Sequence, residues 1–219
     1  MIVRACVLAV ALEWAAAGTG FAQPREPLPR LVADIRLASI GLPAAAGWTP
    51  AVPTNTVVPG RALGLDVGAH VYVARFRAGA IGVGGTFVAG RSHRAPPDSG
   101  DTPALVPGIT TGLRTYTSQV SFNFGHGLGW SYISGGIGRM RVKSEVTEPV
   151  AGAAPLAPAD TGWAQAINYG GGARWFINDH LAFNLDLRWH QVGSRAATDT
   201  HPALQRQSAL VAGGGISIK

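Results

Sequence analysis

The sequence predicts an all-β chain: a single eight-stranded antiparallel up-and-down transmembrane β-barrel. Three observations carry that prediction. The chain holds too little charge for a soluble domain, it lacks a spanning helix, and its alternating segments are joined by connections that are short and long in turn. Of 219 residues, 30 are Gly, 15 are Pro and 14% are charged, with a slightly positive mean hydropathy. Soluble domains carry about 25% charged residues. Past residue 22 no apolar run approaches the ~20 residues of a membrane helix. Strands that alternate apolar and polar residues cross a bilayer without such a run.

Residues 1–22 read as a secretion signal. Arg4 supplies the positive end, Val7 to Leu12 the apolar stretch, and Gly20-Phe21-Ala22 the small-x-small cleavage pattern. Cleavage after Ala22 leaves Gln23 as the mature start and residues 23–219 as the barrel. Glu13 departs from the pattern, and a soluble amphipathic helix is the alternative reading. The only cysteine, Cys6, lies inside the signal and too early for lipoprotein cleavage. The mature chain is therefore expected to have no disulfide and no thiol chemistry.

Period-2 alternation bounded by Gly, Pro, Asn and Asp marks eight strands, at about 31–41, 61–76, 80–91, 113–124, 130–143, 163–177, 180–192 and 207–219. Each meets or exceeds the roughly 9–11 residues that cross a bilayer on a tilt. Three connections are tight: Arg77 to Gly79, Gly125 to Gly129, and Asn178-Asp179. Four are long: 42–60, 92–112, 144–162 and 193–206. Short turns on one side and long loops on the other are the layout of outer-membrane barrels, turns towards the periplasm. An even strand count puts both ends of the barrel on the turn side.

The faces follow from the alternation. Leu31, Ala33, Ile35 and Leu37 oppose Asp34 and Arg36. Leu63, Leu65, Val67, Ala69, Val71 and Val73 oppose Gly64, Asp66, Gly68, His70 and Tyr72. Tyr116, Val120, Phe122 and Phe124 oppose Thr115, Thr117, Gln119, Ser121 and Asn123. Ile167, Tyr169, Ala173 and Trp175 oppose Asn168 and Arg174. Leu181, Phe183, Leu185, Leu187 and Trp189 oppose Ala182, Asn184, Asp186, Arg188 and His190. A soluble lipocalin-like barrel is the competing fold, but its polar face should be dense in Lys and Glu, and this chain has two lysines. A lipid-facing Arg or Lys at the midplane costs about 2–4 kcal/mol, so charges should turn inward. Phe76, Phe124, Trp130, Trp175, Phe176 and Phe183 flank the tight turns, and Phe87, Tyr116, Trp163 and Trp189 lie towards the loops, as two interfacial belts would require. In 130–143 the expected register sends Trp130, Tyr132 and Met140 outward and Arg139, Ile133 and Ile137 inward.

The stretch from Ile167 to Trp189, INYGGGARWFINDHLAFNLDLRW, resembles the penultimate hairpin of OmpA/OmpX-like outer-membrane β-barrel proteins. A Gly-rich strand ends there in an aromatic pair, turns on Asn-Asp, and continues with an inward acid and base. Trp130 to Gly138, WSYISGGIG, resembles the Gly-rich fifth strand of that family. The resemblance implies residence in the outer membrane of a Gram-negative bacterium and insertion by the barrel-assembly machinery. The family usually ends in an aromatic residue, whereas this chain ends ISIK, at Lys219. The resemblance is to the barrel alone and carries no implication of wall anchoring.

Asp34, Arg36, Asp66, His70, Arg174, Asp186, Arg188 and His190 are the expected interior polar network. An eight-stranded lumen is just wide enough for side chains to fill, and buried charges must pair, so the network should plug the barrel. A narrow or gated pore, with His70 and His190 titrating near neutrality, is the second reading. A third is a lipid A-modifying enzyme. It would need a nucleophile, a base and an acid together, and Ser92-His93 with Asp98 or Asp101 is the candidate; neighbours on a strand point to opposite faces, which argues against it. No catalytic residue is therefore assigned, His126 and His201 read as solvated, no metal-ligand spacing occurs, and no cofactor is expected. The Gly runs at 170–172 and 213–215 precede no helix and are not phosphate loops. The net charge of +6 is scattered, which excludes nucleic acid. Arg91, Arg94, Arg114, Arg141 and Lys143 fall near the loop ends as a candidate rim for lipopolysaccharide phosphates. The expected role is that of a monomeric structural or surface-interaction barrel whose partners are outer-membrane lipid, lipopolysaccharide and external ligands.

Overall fold

The period-2 segments pair as expected into a closed barrel in the computed structural model. It describes residues 30–43, 48–50, 52, 56–96, 106–150, 152–199, 201 and 203–219. The signal, Gln23, Asp98 and Asp101 lie outside the described residues. The strands are β1 (Leu31–Gly41), β2 (Arg61–Phe76), β3 (Gly79–Arg94), β4 (Gly108–His126), β5 (Gly129–Glu148), β6 (Ala159–Asp160), β7 (Ala164–Phe176), β8 (Leu181–Val192) and β9 (Gln207–Ile218). All but the two-residue β6 form the wall, each antiparallel to its neighbours in the order β1-β2-β3-β4-β5-β7-β8-β9, with β9 returning to β1. β6 is added to the outer end of β5.

Closure is staggered. Partners traced from Ile40 run through Val211, Arg188, Gly170, Ser134, Ser121 and Gly82 to Tyr72. The Tyr72 amide donates to the carbonyl of Arg30, ten residues before the starting point. A stagger of this size in eight strands tilts them by about 35–45° and leaves room inside for side chains only.

Three strands run further outward than the alternation suggested. β4 begins at Gly108 rather than 113, β5 continues to Glu148 rather than 143, and β3 to Arg94 rather than 91. β-Branched residues keep the ladder going there, and cross-strand hydroxyls tie it. Thr111 Oγ1 and Ser144 Oγ lie 2.7 Å apart, Thr110 Oγ1 and Thr147 Oγ1 3.3 Å. β8 starts one residue later than expected, because Asn178 Oδ1 accepts from the amides of His180 and Leu181, both at 2.9 Å. That Asx turn takes up Ile177 to His180.

The inward and outward sets on β1, β2, β4, β7 and β8 match the alternation. The register expected for β5 is reversed. Tyr132 and Met140 are buried, Ile133 and Ile137 are 59% and 63% exposed, and Arg139 faces outward. Tyr132 turns inward because its hydroxyl has a carboxylate to meet there. Its ring fits because β7 offers glycine opposite: a Cβ on Gly172 would lie 2.6 Å from Tyr132 Oη. Two residues assigned to the lower aromatic belt also turn in. Phe176 is buried, and Trp130 packs on Val32, Tyr72 and Ala80 to floor the barrel.

Outside, the wall is a continuous apolar belt that includes Leu37 and Leu63, both 74% exposed, with Leu65, Val120, Leu185 and Ile216. Soluble monomers rarely expose contiguous apolar patches beyond a few hundred Å², so a surface of this kind requires lipid. Among the described residues no helix is long and apolar enough to span a membrane; the strands do so.

Candidate functional site

The inward residues form three layers. Above the aromatic floor lies a charged layer centred on Asp34. Its Oδ2 takes Arg36 Nη2 and Arg174 Nη2, each at 2.7 Å. Its Oδ1 takes Arg174 Nε at 3.1 Å and the Ser217 hydroxyl at 2.5 Å. Arg36 reaches on to Asp66 Oδ2 at 2.7 Å and Asn184 Oδ1 at 2.9 Å. The Tyr132 hydroxyl donates to Asp186 Oδ2 at 2.6 Å, and Asp186 is gripped by Arg188 Nε and Nη2. Arg174 lies over the Tyr132 ring, 4.3 Å from its centroid. All six charged side chains are buried, and three guanidiniums balance three carboxylates. Buried charges survive only when paired and hydrogen-bonded in this way.

Six of the eight predicted interior residues thus join one network. His70 and His190 are also buried, but neither ring has a hydrogen-bond partner among the described residues. His70 packs over Gly84, where a Cβ would come within 2.8 Å of its ring. Tyr132, Tyr72, Asn123, Asn184 and Ser217 belong to the network and were not singled out from the sequence. For Asn123, Asn184 and Tyr72 the signal was present, since each sits on the face already read as inward.

The outer third of the lumen is apolar. Ala38, Ile40, Ala62, Val88, Leu113, Met140, Val142, Ala166, Val192 and Val211 fill it. Over them sits Trp48 from the β1–β2 loop, 1% exposed, with Leu42 and Leu204 beside it. Trp48 Nε1 donates to the Gln205 carbonyl at 3.3 Å, joining the first loop to the last. The barrel is therefore filled by aromatic, charged and apolar layers, together with a neutral cluster of Thr86, Thr117, Gln119 and Asn168 that hydrogen-bond to one another.

At the rim, Arg91, Arg114, Arg141 and Lys143 line one shallow groove of about 670 Å³ on the outer wall of β2 to β5. Arg94 is separate, lining a depression with Val57, Ala95, Pro96 and Val106. Arg141 makes two hydrogen bonds to Asp160, and Lys143 pairs with Glu145 at 3.0 Å. The hydrogen bond from Arg141 holds the Asp160 carboxyl below the usual carboxylate range. A carboxyl depressed on folding adds stability that is present above its ordinary pKa, about 3.9, and lost as pH falls through the lowered value. Below about pH 3.9, β6 should loosen from β5 while the barrel stands. The protection factor of the Thr161 amide, bonded to the Val142 carbonyl, should drop there, and a constant value from pH 6 to 3 would contradict the assignment.

Ser92 and His93 form no nucleophile–base pair, since Ser92 turns inward and His93 outward. The His93 ring instead meets the buried Thr110 at Oγ1, 3.0 Å away, and the exposed Glu148 at Oε1, 3.1 Å away. Among the described residues no cluster of His, Cys, Asp or Glu could hold a metal ion.

No family model matches the sequence, and no curated protein matches it. Solved structures do. Neisserial surface protein A aligns over 86% of this chain and 95% of its own, with a TM-score of 0.51 at 10% identity. The fold is that of a small outer-membrane β-barrel. OprG of Pseudomonas aeruginosa covers 86% of this chain and 94% of its own (TM-score 0.44, 11% identity). OmpT, an outer-membrane protease of Escherichia coli, covers 92% and 99% (TM-score 0.47, 7% identity). In this barrel the hairpin that carries the family resemblance is β7–β8, and it contributes Arg174, Asp186 and Arg188 to the interior.

Proposed function

We propose that this protein is a sealed structural and surface-interaction barrel of the outer membrane, working through its outer rim and loops on lipopolysaccharide and external ligands. The observation behind this reading is the filled lumen: a charge-neutral network below and an apolar plug capped by Trp48 above. Ions crossing such a plug would lose their hydration with nothing to replace it. Transport would require the whole interior to rearrange, so the working surface is the exterior.

Refolded protein in planar bilayers should give no steady single-channel steps. Regular, reproducible conductance steps would replace this reading with that of a pore. Expression in an outer-membrane host should leave the lipid A mass spectrum unchanged. A new acylation state dependent on His93 would instead make the protein a lipid-modifying enzyme.

A further inference from the structure

The cations at the outer ends of the wall strands, Arg61 on β2 among them, are gathered on one side of the barrel. Outward-facing Arg91, Arg114, Arg139, Arg141 and Lys143 all stand on β3, β4 and β5, just above the apolar belt. On the other half of the wall the outward residues near the outer ends of β1, β7, β8 and β9 include Ser39, Gln165, Gln191 and Ser208, all uncharged, with Arg206 just before β9. Register makes the crowding acute. Arg114 is directly opposite Arg141, and on β5 Arg139 is the next outward residue. Like charges facing each other across strands are destabilising. Asp160 and Glu145 answer Arg141 and Lys143, which leaves Arg91, Arg114 and Arg139 without an acid partner among the described residues.

Below these cations the groove continues into the belt. Leu63, Leu65 and Val67 form one side and Phe87 and Ala89 the other, over a floor where Gly64 and Gly90 present only backbone. The groove is thus cationic at its outer end and apolar at its inner end. A lipid whose phosphate adjoins its acyl chains matches that order. Guanidiniums bind phosphate in bidentate fashion, and one dianion beside Arg114 would answer the cations that Asp160 and Glu145 leave unmet.

We propose that this groove is a binding site for one phosphorylated glycolipid of the outer leaflet. Arg114 holds the phosphate, Arg91 and Arg139 flank it, and an acyl chain lies between Leu65 and Phe87. The proposal rests on the reading of the protein as an interaction barrel and gives that reading a defined partner and address.

The test is binding of bisphosphorylated lipid A to the refolded full barrel in detergent, followed by native mass spectrometry and by the shift in thermal unfolding. Arg114→Gln and Arg91→Gln should each weaken binding by about ten-fold, while Arg75→Gln at the periplasmic end should not. Val67→Trp, which fills the apolar end of the groove at a position whose cross-strand partners are Ile35 and Phe87, should also weaken it. Every variant must retain the heat-modifiable gel band, which separates lost binding from lost folding. Lipid A stripped of phosphate should bind the wild type about ten-fold more weakly, and inorganic phosphate alone should give no thermal shift. Equal binding by the dephosphorylated lipid, equal weakening by Arg75→Gln, or full stabilisation by inorganic phosphate would overturn the site. None of those results would make the barrel conduct, so the failure of this site is distinguishable from that of the sealed-barrel reading.

Discussion

Asp34→Ala should destabilise the folded barrel by about 3–5 kcal/mol, the cost of removing one partner from a buried ion pair. Asp34 is the hub of the interior, with two guanidiniums, a hydroxyl and an amide converging on one carboxylate. Its loss leaves Arg36 with Asp66 and Asn184, and Arg174 with only neutral partners on Tyr72 and Asn123. Urea unfolding in lipid vesicles, followed by tryptophan fluorescence and gel mobility, reads the effect. Adding Arg174→Ala restores neutrality, so the double variant should be more stable than the two single losses add up to, by roughly 0.5–3 kcal/mol of coupling. Strict additivity would show that Asp34 and Arg174 do not act as a pair.

The second large effect is expected at the mouth. Trp48→Ala removes the largest side chain of the apolar plug and should cost about 3–5 kcal/mol. The first loop should also become more open to protease, since its indole bond to the Gln205 carbonyl is lost. Conductance should stay absent, because the layer of Asp34, Arg36 and Arg174 beneath is untouched. A Trp48→Ala barrel that conducted would show that the plug alone seals the lumen. A stability equal to wild type would show that Trp48 only rests on the mouth.

Much of this architecture is legible in the sequence because lipid imposes a strict rule on every spanning strand. Leu185, Leu187 and Trp189 must face out, and with period 2 that forces Asp186, Arg188 and His190 inward. The rule loses force where the environment stops imposing it. β4 and β5 continue beyond the belt on cross-strand Thr and Ser pairing, so their outer ends could not be placed from apolar alternation. β5 also misleads because both of its faces hold apolar residues. Trp130 and Tyr132 look like membrane-interface rings, yet the Tyr132 hydroxyl finds Asp186, on a strand more than fifty residues away. Reversing that register moved Arg139 from the expected lumen to the rim. The apolar upper lumen was less visible: Ile40 and Leu113 share faces already read as inward, but Met140 looks like a lipid-facing residue until its partners are known. Of the rim, the sequence showed the cations but not their gathering on one half of the wall, which depends on the order of strands around the barrel.

The seam between β1 and β9 has a consequence for how the barrel comes into being. Those strands are the first and last of the wall, so their pairing is the most distant in the chain and the slowest to find by diffusion. The Asp34 carboxylate meets Arg36 on its own strand, but its other partners come late, Arg174 140 residues away and Ser217 183. Until the later strands arrive, β1 and β2 carry two carboxylates, Asp34 and Asp66, against one guanidinium, Arg36, on the face that must leave water. Closing the seam supplies the final ladder and neutralises that charge in a single step, which makes half-built states short-lived and the assembly nearly all-or-none.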